Sequence, residues 1–176
     1  MSKSSKKSAS AKSSKPVTDG SPAIGIPSQD RSKVTAILSA VLSDQHVLYQ
    51  KTRNYHWNLT GHRFHTLHEL FEKQYRELVE AIDETAERIR MIGGTAPGSM
   101  GEFLQHATLK EVKGALIHGE PALESLAADH ESCVRMLRKA ITEADEKTED
   151  AGTVDFLTQL IRAHEKNAWM LRSHLL

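Results

Sequence analysis

The chain has 176 residues, with 23 basic residues balanced by 23 acidic ones and a hydrophobic fraction of 39%. This length suits one domain with a continuous core, and an aromatic fraction of only 5% favours helices over sheets. The single cysteine, Cys133, excludes an intrachain disulfide and is expected to pack in the core of a protein from a reducing compartment. No apolar stretch predicts a membrane span or a secretory signal, so we expect a cytoplasmic protein.

The N-terminal segment is basic although the whole chain is neutral. Residues 1–18 contain seven serines, no acidic residue and five lysines, which leaves 18 basic against 23 acidic residues in the remainder. A segment with so few apolar groups is predicted to be disordered, up to about residue 28, and residues 29–176 to form the folded domain. The segment is either a solubilising tail or an arm that binds phosphate groups. The lysines are Lys3, Lys6, Lys7, Lys12 and Lys15.

Apolar residues at three- and four-residue intervals predict four amphipathic helices after this tail. The first two span residues 30–59 and 64–92, and the second ends where two consecutive glycines follow. A long connection over residues 95–119 has room for a short helix at 100–106 and suits a crossover along a bundle. The third helix is predicted over residues 120–147, and the fourth is expected to be capped by Thr153.

The second predicted helix carries two pairs of possible metal ligands. Glu72 follows His68 by four residues and Glu87 follows Asp83 by four, so each pair lies on one helix face. The two pairs are roughly 16 Å apart along the helix, too far to share one metal ion. Two copies packed antiparallel about a twofold axis would place His68 opposite Glu87 and Glu72 opposite Asp83 in one register. The spacing therefore favours a metal site shared between subunits.

Several motifs in order make the chain resemble the Dps proteins, the DNA-binding proteins from starved cells. The resemblance covers roughly residues 30–176. It is carried by the segments His-Trp-Asn-Leu-Thr-Gly at 56–61, Leu-His-Glu-Leu-Phe at 67–71, Asp-Glu-Thr-Ala-Glu-Arg-Ile at 83–89 and Glu-Lys-Asn-Ala-Trp-Met-Leu at 165–171. It implies an all-α, ferritin-like four-helix bundle that assembles into a hollow dodecamer. It also implies oxidation of Fe(II), with hydrogen peroxide as the expected oxidant, and storage of the ferric product.

The resemblance also assigns roles to residues. It implies that His56, His68 and Glu72 of one subunit meet Asp83 and Glu87 of another to bind iron and catalyse its oxidation. Family members often have aspartate at the position of Glu72, and glutamate retains the charge but reaches one methylene further. Asp155 resembles an acidic position that lines an entry pore. The lysine-bearing tail would bind DNA without regard to sequence and associate the protein with the nucleoid.

Other interpretations of the same residues remain. A histidine beside apolar neighbours is often a satisfied core group, and carboxylates are common on helix surfaces. The chain could be a nucleoid-packing protein with weak or vestigial ferroxidase activity, or a helical bundle without metal. The absence of thiolate ligands argues against structural zinc. The Glu-x-x-His motif of di-iron bundles is missing from the sequence, which separates the chain from conventional ferritins.

Overall fold

The computed structural model describes residues 20–148 and 150–176, and the five lysines of the predicted tail lie outside these ranges. Within them the chain forms five helices and two very short strands. None of these helices has both the length and the apolar character that crossing a bilayer requires. In chain order the elements are α1 (Ser28–Asn58), β1 (Leu59–Thr60), α2 (Phe64–Met91), α3 (Met100–His106), β2 (Ile117–His118), α4 (Gly119–Thr148) and α5 (Ala151–Ser173).

The four long helices form a bundle in which neighbouring helices run antiparallel. A short turn returns α2 along α1, and the ion pair of Lys51 with Asp129 at 2.6 Å joins α1 to α4. The amide of Asn167 on α5 donates a hydrogen bond to Glu77 on α2 at 3.2 Å. Since α2 and α4 run in the same direction, the chain between them must cross the length of the bundle, and α3 lies in this crossover. The predicted four-helix bundle with a short helix in a long crossover is confirmed.

The two strands form a small parallel pair that the sequence did not predict. Leu59 pairs with Ile117 and Thr60 with His118, so the end of the crossover is attached to the corner between α1 and α2. Gly61 follows with a φ of +111°, a left-handed backbone that strongly favours glycine. This pairing fixes the start of α4 relative to the corner between α1 and α2.

The bundle interior has two apolar regions with a polar layer between them. One region surrounds Phe71 and includes Cys133, which is buried as expected, and the other surrounds Leu38 near the opposite end of the bundle. On α1 and α5 buried polar residues separate the two regions, whereas Gln74 of α2 and His130 of α4 lie within the stretch of the Phe71 region. Buried polar groups need partners inside the protein or a trapped water, so this layer costs stability wherever it is unpaired. Its members include Asp44, Gln45, Gln74, His130, His164 and Asn167.

The start of α5 differs from the prediction. The N-cap is Asp150 and not Thr153, and its carboxylate accepts a hydrogen bond from the backbone N–H of Thr153 at 3.0 Å. The same carboxylate binds the Arg88 guanidinium of α2 at 2.8 Å. An aspartate at this position satisfies a free helix N–H and lies at the positive end of the helix dipole. Thr153 instead donates its hydroxyl to Asp150 at 2.7 Å.

Candidate metal centre

Two histidines from different helices meet at the corner between α1 and α2. The rings of His56 and His68 are stacked, with centroids 3.6 Å apart and an angle of 20° between their planes. His56 lies in the last turn of α1 and His68 in the second turn of α2, so the short antiparallel turn brings them together. His56 is buried with 7% exposure, and His68 is half-buried.

Each histidine binds the backbone of the other. Nδ1 of His56 lies 2.9 Å from the carbonyl oxygen of His68, and Nδ1 of His68 lies 2.9 Å from the carbonyl oxygen of His56. A carbonyl oxygen only accepts, so each Nδ1 atom carries a proton, and the neutral tautomer with this arrangement has its lone pair on Nε2. The His56 carbonyl also belongs to the last turn of α1, where a helix lacks backbone donors. The fold thus presents two oriented imidazole nitrogens to a metal.

Glu72 supplies a third donor one turn after His68. One ligand atom from each of His56, His68 and Glu72 lies within 4.8 Å of the other two, and this is the one cluster of three or more such groups found in residues 20–148 and 150–176. The pKa of Glu72 is lowered, chiefly because Arg76 donates hydrogen bonds to its carboxylate, which outweighs the effect of partial burial. Two imidazoles and a carboxylate form a mixed nitrogen and oxygen set that suits Fe(II).

Aromatic rings enclose the histidine pair. Phe64 packs beside His68 at 5.0 Å between ring centroids, and Tyr75 meets the edge of His56 at 5.2 Å. The guanidinium of Arg53 lies over Trp57 at 4.5 Å, and Trp57 is 55% exposed. Sequence reasoning assigned no role to Phe64, Tyr75 or Arg76. Phe64 precedes His68 by four residues, and Arg76 follows Glu72 by four. This helical spacing is the signal that could have identified Phe64 and Arg76.

Asp83 and Glu87 do not join this cluster within one chain. Both side chains are exposed on α2, and the helical rise puts Asp83 roughly 16 Å from Glu72. The three donors that do meet leave coordination positions open, because Fe(II) with nitrogen and oxygen ligands accepts more than three. The protomer therefore contains a partial site and, elsewhere on the same helix, two exposed carboxylates.

A second pair of histidines lies inside the bundle. Nδ1 of His130 on α4 and Nδ1 of His164 on α5 are 2.9 Å apart, and both residues are buried. Burial lowers the pKa of His164 to about 4 and lowers the pKa of His130 well below its ordinary value. Both rings are therefore neutral near pH 7, and one donates its Nδ1 proton to the other. Their burial and their contact with each other indicate a structural role.

The acidic residues around the start of α5 are in different environments. Asp155 is exposed, and its carboxylate accepts a hydrogen bond from the Gln159 amide at 2.8 Å. Asp150, a neighbouring acidic residue, is 4% exposed and is engaged by Arg88 and Thr153. Its carboxylate is therefore not free to line a pore. Glu149 lies outside the described residues.

Comparison with known proteins gives consistent matches along most of the chain. A family model described as a ferritin-like domain matches residues 35–176. DNA protection during starvation protein 2 of Bacillus anthracis is 37% identical over 146 residues, covering 81% of this chain and 97% of the relative. The DNA protection during starvation protein of Brevibacillus brevis is 38% identical over 145 residues, covering 81% and 94%.

Solved structures show the same similarity in three dimensions. The crystal structure of a Dps protein from Bacillus brevis superposes with a TM-score of 0.80 at 34% identity, covering 85% of this chain and 99% of that one. The Dps protein from Vibrio cholerae O1 gives a TM-score of 0.83 at 32% identity, covering 89% and 97%. The latter is described as a member of a broad superfamily of ferritin-like diiron-carboxylate proteins. The ferritin-like fold expected from the sequence is confirmed.

Proposed function

The chain belongs to the Dps family of ferritin-like proteins, and on that premise we propose that it oxidises Fe(II) at sites shared between subunits. The ferric product would be stored inside a hollow dodecamer, and DNA would be protected as a result. The observation that carries this proposal is the His56, His68 and Glu72 cluster, in which both rings are held by backbone carbonyls and keep Nε2 free. Such orientation by outer hydrogen bonds is typical of histidines that bind metals.

The partial site needs ligands from a second copy. Two α2 helices packed antiparallel about a twofold axis would bring Asp83 and Glu87 of one copy to Glu72 and His68 of the other. Both carboxylates are exposed and so are free to enter such an interface. Added carboxylates would also favour the Fe(III) product, since hard oxygen ligands stabilise the more highly charged ion.

The chemistry that this site would perform is a one-electron oxidation of each substrate ion. Two Fe(II) ions each give one electron to hydrogen peroxide, the O–O bond breaks, and two protons are taken up to form two waters and two Fe(III) ions. The neutral Nε2 atoms of His56 and His68 and the carboxylate of Glu72 bind the substrate without themselves being oxidised. Asp155, exposed near the start of α5, is the residue that we assign to an iron entry pore.

Protection of DNA would come from two sources. Consuming iron together with peroxide suppresses the formation of hydroxyl radicals, and two relatives are named for DNA protection during starvation. The lysines of residues 1–18 would bind DNA phosphates, and a dodecamer would present twelve such tails, so weak contacts would add to firm attachment. We therefore expect a cytoplasmic, nucleoid-associated protein whose DNA binding weakens steeply with salt.

Iron oxidation is tested by loading the purified protein anaerobically with Fe(II) and then adding hydrogen peroxide. The wild type should oxidise iron faster than free Fe(II) does, and the His68→Ala, Asp83→Ala double variant should lose this acceleration. The matched control is Glu84→Ala, at an exposed neighbour of Asp83, which should keep the wild-type rate, whereas Asp83→Ala alone should slow the oxidation. Oxidation no faster than that of free iron in the wild type would refute the proposal.

A nucleoid-packing role with weak ferroxidase activity is distinguished by deleting residues 1–18. We expect the truncated protein to lose compaction of DNA at moderate salt and to keep the iron oxidation rate of the full chain. If the truncated protein loses DNA binding while both proteins oxidise iron rapidly, the two functions are separable. Retained DNA compaction after the deletion would contradict binding through the tail, and slow iron oxidation by the full chain would favour the packing role.

A further inference from the structure

Arg76 donates two hydrogen bonds to the same one of the two carboxylate oxygens of Glu72. Its Nε atom donates to Oε1 at 3.0 Å and its Nη2 atom donates to the same oxygen at 2.5 Å. Arginine and a carboxylate commonly form two parallel bonds, one to each oxygen. In the part of the chain that the structure describes, no hydrogen bond reaches Oε2 of Glu72. One oxygen is thus held by the protein while the other is left for a ligand.

The three donors of the cluster differ in how they are held. The backbone fixes both imidazoles, because each Nδ1 binds a carbonyl oxygen. Glu72 has no comparable backbone contact, and a glutamate has one more rotatable bond than the aspartate often found at this position in the family. A free side chain of this length loses rotamer entropy when it binds a metal, which weakens the complex. The Arg76 contact removes part of that freedom before the metal arrives.

We propose that Arg76 is a positioning residue for the metal centre, which holds Oε1 of Glu72 and leaves Oε2 for a metal bound by His56 and His68. The arginine compensates for the extra methylene of Glu72 and makes this longer side chain a direct ligand. The inference rests on the proposed function, because it assumes that the cluster binds a metal. It deepens that function by assigning the supporting contact of the third ligand.

The positive charge of Arg76, in contrast to its hydrogen bonds, opposes the binding of a metal cation. A guanidinium near a divalent cation repels it, and an arginine that only occupied the empty site would have to leave before the metal entered. The Glu72 carboxylate that pairs with this guanidinium offsets part of the repulsion by its own negative charge. The hydrogen bonds to a single oxygen persist when the other oxygen binds a metal. The two roles predict opposite changes in affinity when the arginine is removed.

The test measures the affinity of Co(II), which binds nitrogen and oxygen sites much as Fe(II) does. Its absorption bands and its heat of binding are read without any iron oxidation. In Arg76→Met, which keeps side-chain length and loses the donors and the charge, we expect Co(II) to bind about three- to fivefold more weakly. In a Glu72→Asp background the same substitution should change affinity less than about twofold, because the shorter ligand does not need the contact.

Lys73→Ala is the matched control, since Lys73 is an exposed cation next to Glu72 on the same helix, and it should leave Co(II) affinity unchanged. Light scattering checks that every variant keeps the wild-type assembly, and Arg76→Gln replaces Arg76→Met if the latter fails to assemble. Unchanged or tighter binding in Arg76→Met would overturn the positioning role, as would equal losses in both backgrounds. Absence of Co(II) binding to the wild type would instead refute the proposed site itself.

Discussion

The molecule contains two pairs of touching histidines in opposite environments. His56 and His68 lie at a helix corner, bind backbone carbonyls through Nδ1 and have Glu72 beside them. His130 and His164 lie inside the bundle and bind each other through Nδ1. One ligand atom of each ring in the first pair converges with a carboxylate oxygen of Glu72. In the second pair one Nδ1 donates to the other, so the accepting ring carries its proton on Nε2.

The difference between the two pairs shows that proximity of two histidines does not by itself make a metal site. What distinguishes the corner pair is the source of the hydrogen bond to Nδ1, since a backbone carbonyl fixes the tautomer that leaves Nε2 basic. A neighbouring carboxylate then supplies negative charge for a cation. The core pair lacks access, and its burial disfavours any charge. We therefore expect the two pairs to respond differently to metal and to acid.

The largest expected effect is on metal binding. His68→Ala removes a ligand and the carbonyl contact that holds the end of α1, so Co(II) affinity should fall at least about 100-fold. The double variant His130→Leu, His164→Leu should bind Co(II) as the wild type does, because it replaces both members of a distant buried hydrogen bond. Isothermal titration calorimetry of the three proteins measures this difference. A comparable loss in the core variant would show that the comparison between the pairs is wrong.

The next effect is a dependence of stability on pH that arises in the core pair. The pKa of His164 is about 4 in the folded protein, against about 6.5 when unfolded. The folded state therefore binds fewer protons than the unfolded state between these values. Stability is fully present above pH 6.5 and falls as the pH drops towards 4, by about 3 kcal/mol for this one group.

Denaturant unfolding of the wild type and of the His130→Leu, His164→Leu variant at a series of pH values measures this contribution. Subtracting the two curves cancels the contributions of all groups that the two proteins share. The difference should be flat above pH 7 and should favour the variant progressively below pH 6. A difference that does not change between pH 7 and pH 4 would show that the buried histidines do not titrate in this way.

The smallest expected effect is a loss of stability without a change in metal binding. Asp150→Ala removes the N-cap of α5 and leaves Arg88 without its carboxylate, so the free energy of unfolding should fall by about 2 kcal/mol. The Co(II) affinity should stay within about twofold of the wild type, because neither residue belongs to the corner pair. Thermal denaturation and metal titration on the same preparation check both expectations. Weakened metal binding would indicate that the site depends on general stability rather than on its own contacts.

Much of the bundle could be predicted from the sequence because local patterns determine it. The apolar stripes, the two glycines after α2 and the short helix in the crossover all correspond to structural features within a few residues. The cap of α5 was assigned to Thr153 rather than Asp150, because several residues near a helix start are chemically competent to cap it. The strand pair of Leu59–Thr60 with Ile117–His118 was missed, since two-residue strands give no periodic signal and their pairing is long-range.

The site could be predicted only in part, because some of its contacts are local and others join residues that are far apart in the sequence. The spacing of His68 and Glu72 places them on one helical face, whereas His56 lies on another helix and was identified through a family motif. The ion pair of Arg76 with Glu72 has the four-residue spacing that helices favour. Sequence alone does not say which of several acidic neighbours an exposed arginine selects. The contact between His130 and His164 depends on how α4 is aligned with α5, which only packing determines.

The most direct test of the shared site is complementation between two defective proteins. His68→Ala lacks a histidine ligand but keeps both outer carboxylates, and the Asp83→Ala, Glu87→Ala variant has the reverse defect. Each alone should show little peroxide-dependent Fe(II) oxidation. When the two are co-expressed and mixed oligomers are isolated by two affinity tags, half of randomly paired dimers are mixed and each contains one intact site. We expect a random mixture to recover about a quarter of the wild-type activity, because half of the dimers are mixed and one of the two sites in each is intact. Mixed oligomers that stay as inactive as the two parent variants would contradict it.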